Sequence, residues 1–220
     1  EGRYAVTALG QGSSSGPAVI RLLGELERDG RGAQALELAA GFARNLPGSS
    51  ARTDVLLAAG KLAERLGARR DPDLVAESER AAKILGSPIF EAAPAGVRYA
   101  GAFEAMAVEQ GQGRFVEEAA LRLIPRASPC APSEVSRRAS AFLQRFPGST
   151  FAPEARLWLA RAAEDEYWRA PSRSGLRRAV ESYEGVAKGK GEAAAEARKR
   201  LKKLAAKKPE RPATPRVVCR

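Results

Sequence analysis

The chain has no histidine in 220 residues. This removes the side chain most often used as a general base, a metal ligand or a switch near neutral pH. Its two cysteines, Cys130 and Cys219, are too few and too far apart for a zinc motif. Aromatics are only 6% of the residues, so Ala and Leu must fill much of the interior, which favours close-packed helices over sheets. Alternating β-branched stretches are nearly missing. Arg3–Thr7 is the best strand candidate, and it is short. No run of about 18 apolar residues occurs, so no transmembrane helix is expected. No signal peptide is visible, and the start at Glu1 instead of Met reads as a processed or trimmed end.

What is present is unevenly charged. The formal net charge is +11. Residues 188–220 hold 12 Lys/Arg and 3 Asp/Glu, a net +9, which leaves +2 for residues 1–187. The basic character therefore belongs to the C-terminal end. At this length the chain can bury a substantial core and can form one domain or two.

The clearest pattern is an internal echo. Phe42 to Pro47-Gly48-Ser49 and Phe142 to Pro147-Gly148-Ser149 lie one hundred residues apart, and 7 of the 25 positions in 39–63 match those in 139–163. In each copy an apolar-periodic segment stops at Pro-Gly-Ser and a second one starts. In the second copy Thr150 is the expected cap, and Pro153 sits where a first helical turn tolerates a missing N–H. The unit is helix, tight turn, helix, and its repetition predicts a helical-repeat protein.

Gly and Pro punctuation predicts helices over 17–29, 33–46, 50–67, 71–86, 94–110, 114–126, 133–146, 152–169, 174–188 and 192–208, with Ser133 capping the seventh. The short connections imply antiparallel neighbours, and stacked hairpins suit such a series better than a single bundle. The expected layout is a flexible segment at 1–16, helical hairpins over 17–126, a Pro-rich junction at 127–132, further helices over 133–208 with a basic capping helix, and an extended basic tail at 209–220.

The hairpins resemble tetratricopeptide repeats (TPR). That motif sets small and aromatic residues on the second helix at spacings of four and three, with Pro five further on. Ala35, Ala39, Phe42 and Pro47 fit, as do Val135, Ala139, Phe142 and Pro147, while Ala179, Tyr183 and Val186 fit without the proline. Leu22 and Leu26 take first-helix positions and Gly30 the turn, although Leu23 stands where a small residue is expected. The expected fold is an all-α, right-handed solenoid of antiparallel TPR-like hairpins. The phrase Phe146-Pro147-Gly148-Ser149, followed by Ala152-Pro153-Glu154-Ala155, is similar to TPR-type lipoproteins and periplasmic proteins of Gram-negative envelopes, such as the TolA-binding division coordinator. The resemblance implies a non-enzymatic adaptor, periplasmic or associated with the outer membrane, that binds a protein segment in a concave groove. A cytoplasmic location is the alternative. No cofactor, metal or catalytic residue is implied.

Glu164-Asp165-Glu166 is the densest acidic cluster. Consecutive helical residues point about 100° apart, so these carboxylates cannot act as a glycosidase pair, and a solvated face is expected. Trp158, Tyr167 and Trp168 are expected to pack between helices. Trp158, Arg161, Glu164 and Trp168 are the candidate partner-binding residues, because Arg161, Glu164 and Trp168 fall on one side at helical spacing. Arg69-Arg70, Arg137-Arg138 and Arg177-Arg178 lie near helix ends and read as solvated.

The last helix carries an apolar stripe of Ala194, Ala197, Leu201 and Leu204, suited to capping a solenoid. Its lysines Lys199, Lys202, Lys203, Lys207 and Lys208 are candidate anion-binding residues, for acidic lipid, cell-wall polymer or nucleic acid. No aromatics interleave them, which argues against stacking on single-stranded nucleic acid. A third function class is a non-catalytic superhelical domain of a cell-wall enzyme. Finally, a Cys130–Cys219 disulfide is expected in an oxidising compartment. With alternating helices, the two ends come within roughly 30 Å, which the extended tail can span at about 36–40 Å.

Overall fold

The structure, a computed structural model, describes residues 15–68, 101, 103–105, 107–109, 115–126 and 131–205. Every regular element among them is a helix, so the fold is all-α. The elements are α1 (Ser15–Arg28), α2 (Gly32–Asn45), α3 (Arg52–Ala68), α4 (Val116–Arg126), α5 (Pro132–Arg145), α6 (Ala152–Arg169), α7 (Arg173–Ala187) and α8 (Glu192–Leu204). Residues 101, 103–105 and 107–109 are helical as well. The strand expected at Arg3–Thr7, the helix expected over 71–86, Arg69-Arg70, both cysteines with the expected disulfide, and the 209–220 tail lie outside the described residues. The chain divides into two compact units, residues 1–122 and 123–220.

In the first unit, α2 packs on α1 and α3, and α1 also packs on α3. Ala35, Ala39 and Phe42 form the buried stripe of α2. On α1 it is Leu23 that is buried; Leu22 is only half-buried, and Leu26 packs against the edge of the core. Gly30, at a φ of 73°, ends α1. Its N–H donates to the Glu27 carbonyl (3.2 Å) and that of Arg31 to the Leu26 carbonyl (2.8 Å), the paired bonds of a left-handed helix stop. Buried Glu104 accepts from Arg122 Nε at 2.7 Å, and Arg122 also pairs with Glu64.

In the second unit, α5, α6, α7 and α8 each pack on the next, and α6 also packs on α8. Val135, Ala139 and Phe142 are buried on α5; Ala179, Tyr183 and Val186 are buried on α7. All nine small or aromatic positions on α2, α5 and α7 named above thus face an interior.

The two Pro-Gly-Ser bends share a hydrogen-bond pattern. Leu46 N–H donates to the Phe42 carbonyl and Phe146 N–H to the Phe142 carbonyl (3.0 and 2.8 Å). Ser49 N–H reaches Leu46 and Ser149 N–H reaches Phe146, both at 3.1 Å. Arg52 N–H reaches the Ser49 carbonyl and Ala152 N–H the Ser149 carbonyl, again at 3.1 Å. The serine hydroxyls accept from Ala51 N–H (3.3 Å) and Phe151 N–H (3.1 Å). Even the closing residues match, with φ and ψ of −126° and 60° at Leu46 against −128° and 62° at Phe146.

Two capping expectations are corrected here. Ser149, not Thr150, supplies the hydroxyl at the start of α6, because its oxygen sits two residues before the N–H it accepts from. Ser133 does not cap α5; the helix already begins at Pro132, with Ala131 at the cap and no side-chain bond. Pro153 does lie in the first turn of α6. Ser172 caps α7 by accepting from Gly175 N–H at 3.0 Å.

Candidate functional site

The most elaborate side-chain constellation joins α6, α7 and α8. At its centre is Glu164, 2% exposed. Its position follows Leu157 and Ala160 along one stripe of α6, and this stripe faces the interior. Glu164 Oε2 accepts from the Tyr183 hydroxyl at 2.7 Å and from Arg200 Nε at 3.1 Å. Oε1 accepts from Trp168 Nε1 at 3.1 Å and pairs with Arg200 Nη2. Arg200, 7% exposed, reaches this point because Ala197, Arg200 and Leu204 form the inward stripe of α8. One carboxylate therefore ties three helices together.

The electrostatics follow from that burial. Burial, reinforced by the Glu164 charge, holds the Tyr183 hydroxyl well above the ordinary tyrosine range. Burial opposes charge on Arg200, but the Glu164 hydrogen bond and charge outweigh it and raise its pKa. No buried side-chain nitrogen or oxygen among the described residues lacks a partner. The constellation is a closed polar network, and its chemistry is that of a clasp.

The solvated face expected for Glu164-Asp165-Glu166 is corrected by this geometry. Glu164 points inward, Asp165 is half-buried, and Glu166 pairs with Arg178 of α7 at 2.9 Å. The signal that could have located Glu164 is its place on an apolar stripe, matched by an opposite charge at the same kind of position on α8. Glu104 is hidden in the sequence for a similar reason, since its partner Arg122 lies 18 residues away on another helix.

The four candidate partner-binding residues separate into two pairs. Glu164 and Trp168 belong to the network, with Trp168 also packed on the second unit's core and 4.8 Å from the Tyr167 ring. Trp158 and Arg161 are half-buried and lie together, the Arg161 guanidinium 4.6 Å from the Trp158 ring centroid.

Of the candidate anion-binding residues, Lys199 and Lys202 are exposed and Lys203 is half-buried; Lys207 and Lys208 lie outside the described residues. Arg137 is exposed, as expected, and pairs with Glu134; Arg138, expected to be solvated, is half-buried, pairs with Glu134 and donates to the Leu123 carbonyl at 2.8 Å. The Arg137 hydrogen bond, joined by Arg138, holds the Glu134 carboxyl at about 2. Among the described residues no three His, Cys, Asp or Glu side chains are grouped to hold a metal, and no helix is long and apolar enough to cross a membrane. No protein-family model matches the chain, and no curated protein matches it in sequence.

Proposed function

We propose that the chain is a solenoid of TPR-like hairpins acting as a non-enzymatic protein–protein adaptor of the cell envelope, with a partner segment held along the first helices of its hairpins. The observation that carries this is the doubled bend: α2–α3 and α5–α6 are joined by the same hydrogen bonds, with Phe42 and Phe142 buried just before them. The packing order adds support. In a stack of hairpins each helix touches the next, and first helices also touch first helices. The pairs α1–α3 and α6–α8 fit that rule, with α2, α5 and α7 as second helices. The envelope location rests on the resemblance of the Phe-Pro-Gly-Ser phrase alone.

In this scheme α6 is a first helix, and Trp158 with Arg161 is the contact patch it offers. A half-exposed Trp beside an Arg combines the two residue types that most often dominate binding energy. The test is site-specific photo-crosslinking in cells that make the protein, with the reactive group at Trp158 or, as a control, at exposed Glu184 on α7. A discrete protein adduct at 158 and none at 184 is the expected result. Equal labelling at both positions, or none at either, overturns the assignment of this face.

A further inference from the structure

The second unit carries a charge that its folding does not use. Residues 123–220 hold 22 Lys/Arg and 10 Asp/Glu, a net +12, whereas residues 1–122 hold 15 and 16, a net −1. The arginines of the second unit are largely engaged: Arg137 and Arg138 with Glu134, Arg177 with Glu181, Arg178 with Glu166, and Arg200 with Glu164. Four lysines of its last hairpin are not. Lys188 and Lys190 in the α7–α8 turn, and Lys199 and Lys202 on α8, are exposed and pair with no carboxylate among the described residues. Glu192 lies in the first turn of the same helix, where the helix dipole favours it, and Glu196 stands on the next turn.

The clasp decides which way these lysines face. Ala194, Ala197, Arg200 and Leu204 turn inward, so Lys199 and Lys202, on the opposite side of α8, turn outward. Lys188 and Lys190 stand in the turn just before α8, and from Glu192 to Lys202 the helix rises about 15 Å, so the free ammonium groups flank the start of α8 and continue along its outer side. We propose that this surface docks peripherally on an anionic lipid bilayer.

Three features favour a bilayer over other polyanions. The groups are lysines, whose compact charge and flexible stem need no fixed acceptor geometry, as suits a fluid plane of headgroups. The outer surface of a helix is convex, and a plane can meet both of its ends at once. Of the two arginines among these lysines, Arg198 donates to the Ala187 carbonyl at 2.8 Å and Arg200 is buried with Glu164. No Asn or Gln stands there to read a base edge, and no aromatic to stack on one. Leu201 and Leu204 lie against the core, so contact would be electrostatic, without insertion.

The test is flotation of the full chain with phosphatidylcholine vesicles containing phosphatidylserine, against phosphatidylcholine alone and against a mixed-sequence DNA duplex. Binding to the anionic vesicles only, weakening as salt is raised, is expected. Replacing Lys188, Lys190, Lys199 and Lys202 by Gln keeps the rest of the basic end and should lower the vesicle affinity by about fivefold per lysine. Replacing the same four by Arg keeps the charge and should retain flotation. The proposal is overturned if wild-type protein does not float with anionic vesicles, floats equally with neutral ones, or binds the duplex more tightly than the vesicles at equal salt. Unchanged affinity in the Gln variant, or lost affinity in the Arg variant, also overturns it.

Discussion

Removing the Glu164 carboxylate is the sharpest perturbation available in the second unit. In Glu164→Ala the Arg200 guanidinium stays buried with no counter-charge, and the Tyr183 hydroxyl loses its acceptor. Breaking a buried ion pair from one side costs about 3–5 kcal/mol. The orphaned tyrosine falls within that figure, since the groups act as one network and their losses do not add. Urea unfolding followed by tryptophan fluorescence is the suitable assay, because both tryptophans, Trp158 and Trp168, lie on α6 and report on this unit. With a denaturant slope of about 1–3 kcal/mol per molar, the midpoint should fall by about 1 M or more. The triple variant Glu164→Leu/Tyr183→Phe/Arg200→Met replaces the polar network by apolar groups of similar size and should recover at least half of the loss. Glu184→Ala, an exposed control on α7, should stay within about 0.5 kcal/mol of wild type. A loss below about 1 kcal/mol in Glu164→Ala would refute the buried clasp.

Four further outcomes are expected. Phe42→Ala and Phe142→Ala should each cost about 3–5 kcal/mol by chemical denaturation, because both rings are almost fully buried at equivalent positions. Gly16→Ala should destabilise the first unit in a thermal melt, since a Cβ there would overlap the Ala51 side chain, while Gly41→Ala, with open space, should not. Glu134 has a folded-state pKa of about 2 against an ordinary 4.5, so its stabilising contribution is complete above 4.5 and is lost as pH falls toward 2; Glu134→Gln should flatten acid unfolding across that window. Tyr183 is shifted the other way, from an ordinary 10.0 upward, so its contribution is complete below pH 10 and declines as pH rises above it; its phenolate absorbance should appear only with unfolding.

Much of the helical layout is legible in the sequence because Gly and Pro fix where helices stop. The ends of α2, α5 and α6 fall within a residue of the expected ranges 33–46, 133–146 and 152–169. The buried faces of α2, α5 and α7 are legible too, since small and aromatic residues recur there at helical spacing. The clasp is not legible by the same logic. Local charge density at 164–166 suggests water, and the basic run after Lys188 suggests water again. Only the third dimension brings Glu164 and Arg200 together across 36 residues. What a one-dimensional pattern registers as polarity is here an interior pair, set on two apolar stripes that each look interrupted when read singly. The same holds for Glu104 and Arg122.

The Pro-Gly-Ser bend has a consequence beyond joining two helices. Nearly all of its hydrogen bonds are made within itself and the two helix ends it connects. The hydrogen bond from Arg52 Nε to the Ala43 carbonyl at 2.9 Å has no counterpart in the second copy, where Ala152 stands in place of Arg52 and the bend is unchanged. The hydrogen bonding of the bend is thus independent of whatever the helices pack against. Such a corner is a transferable part: the segment 146–150 grafted over 46–50, with Ala51 kept where it packs against Gly16, should fold as a bend in its new setting. Helix faces on either side can then be rewritten for a different neighbour while the corner keeps its shape.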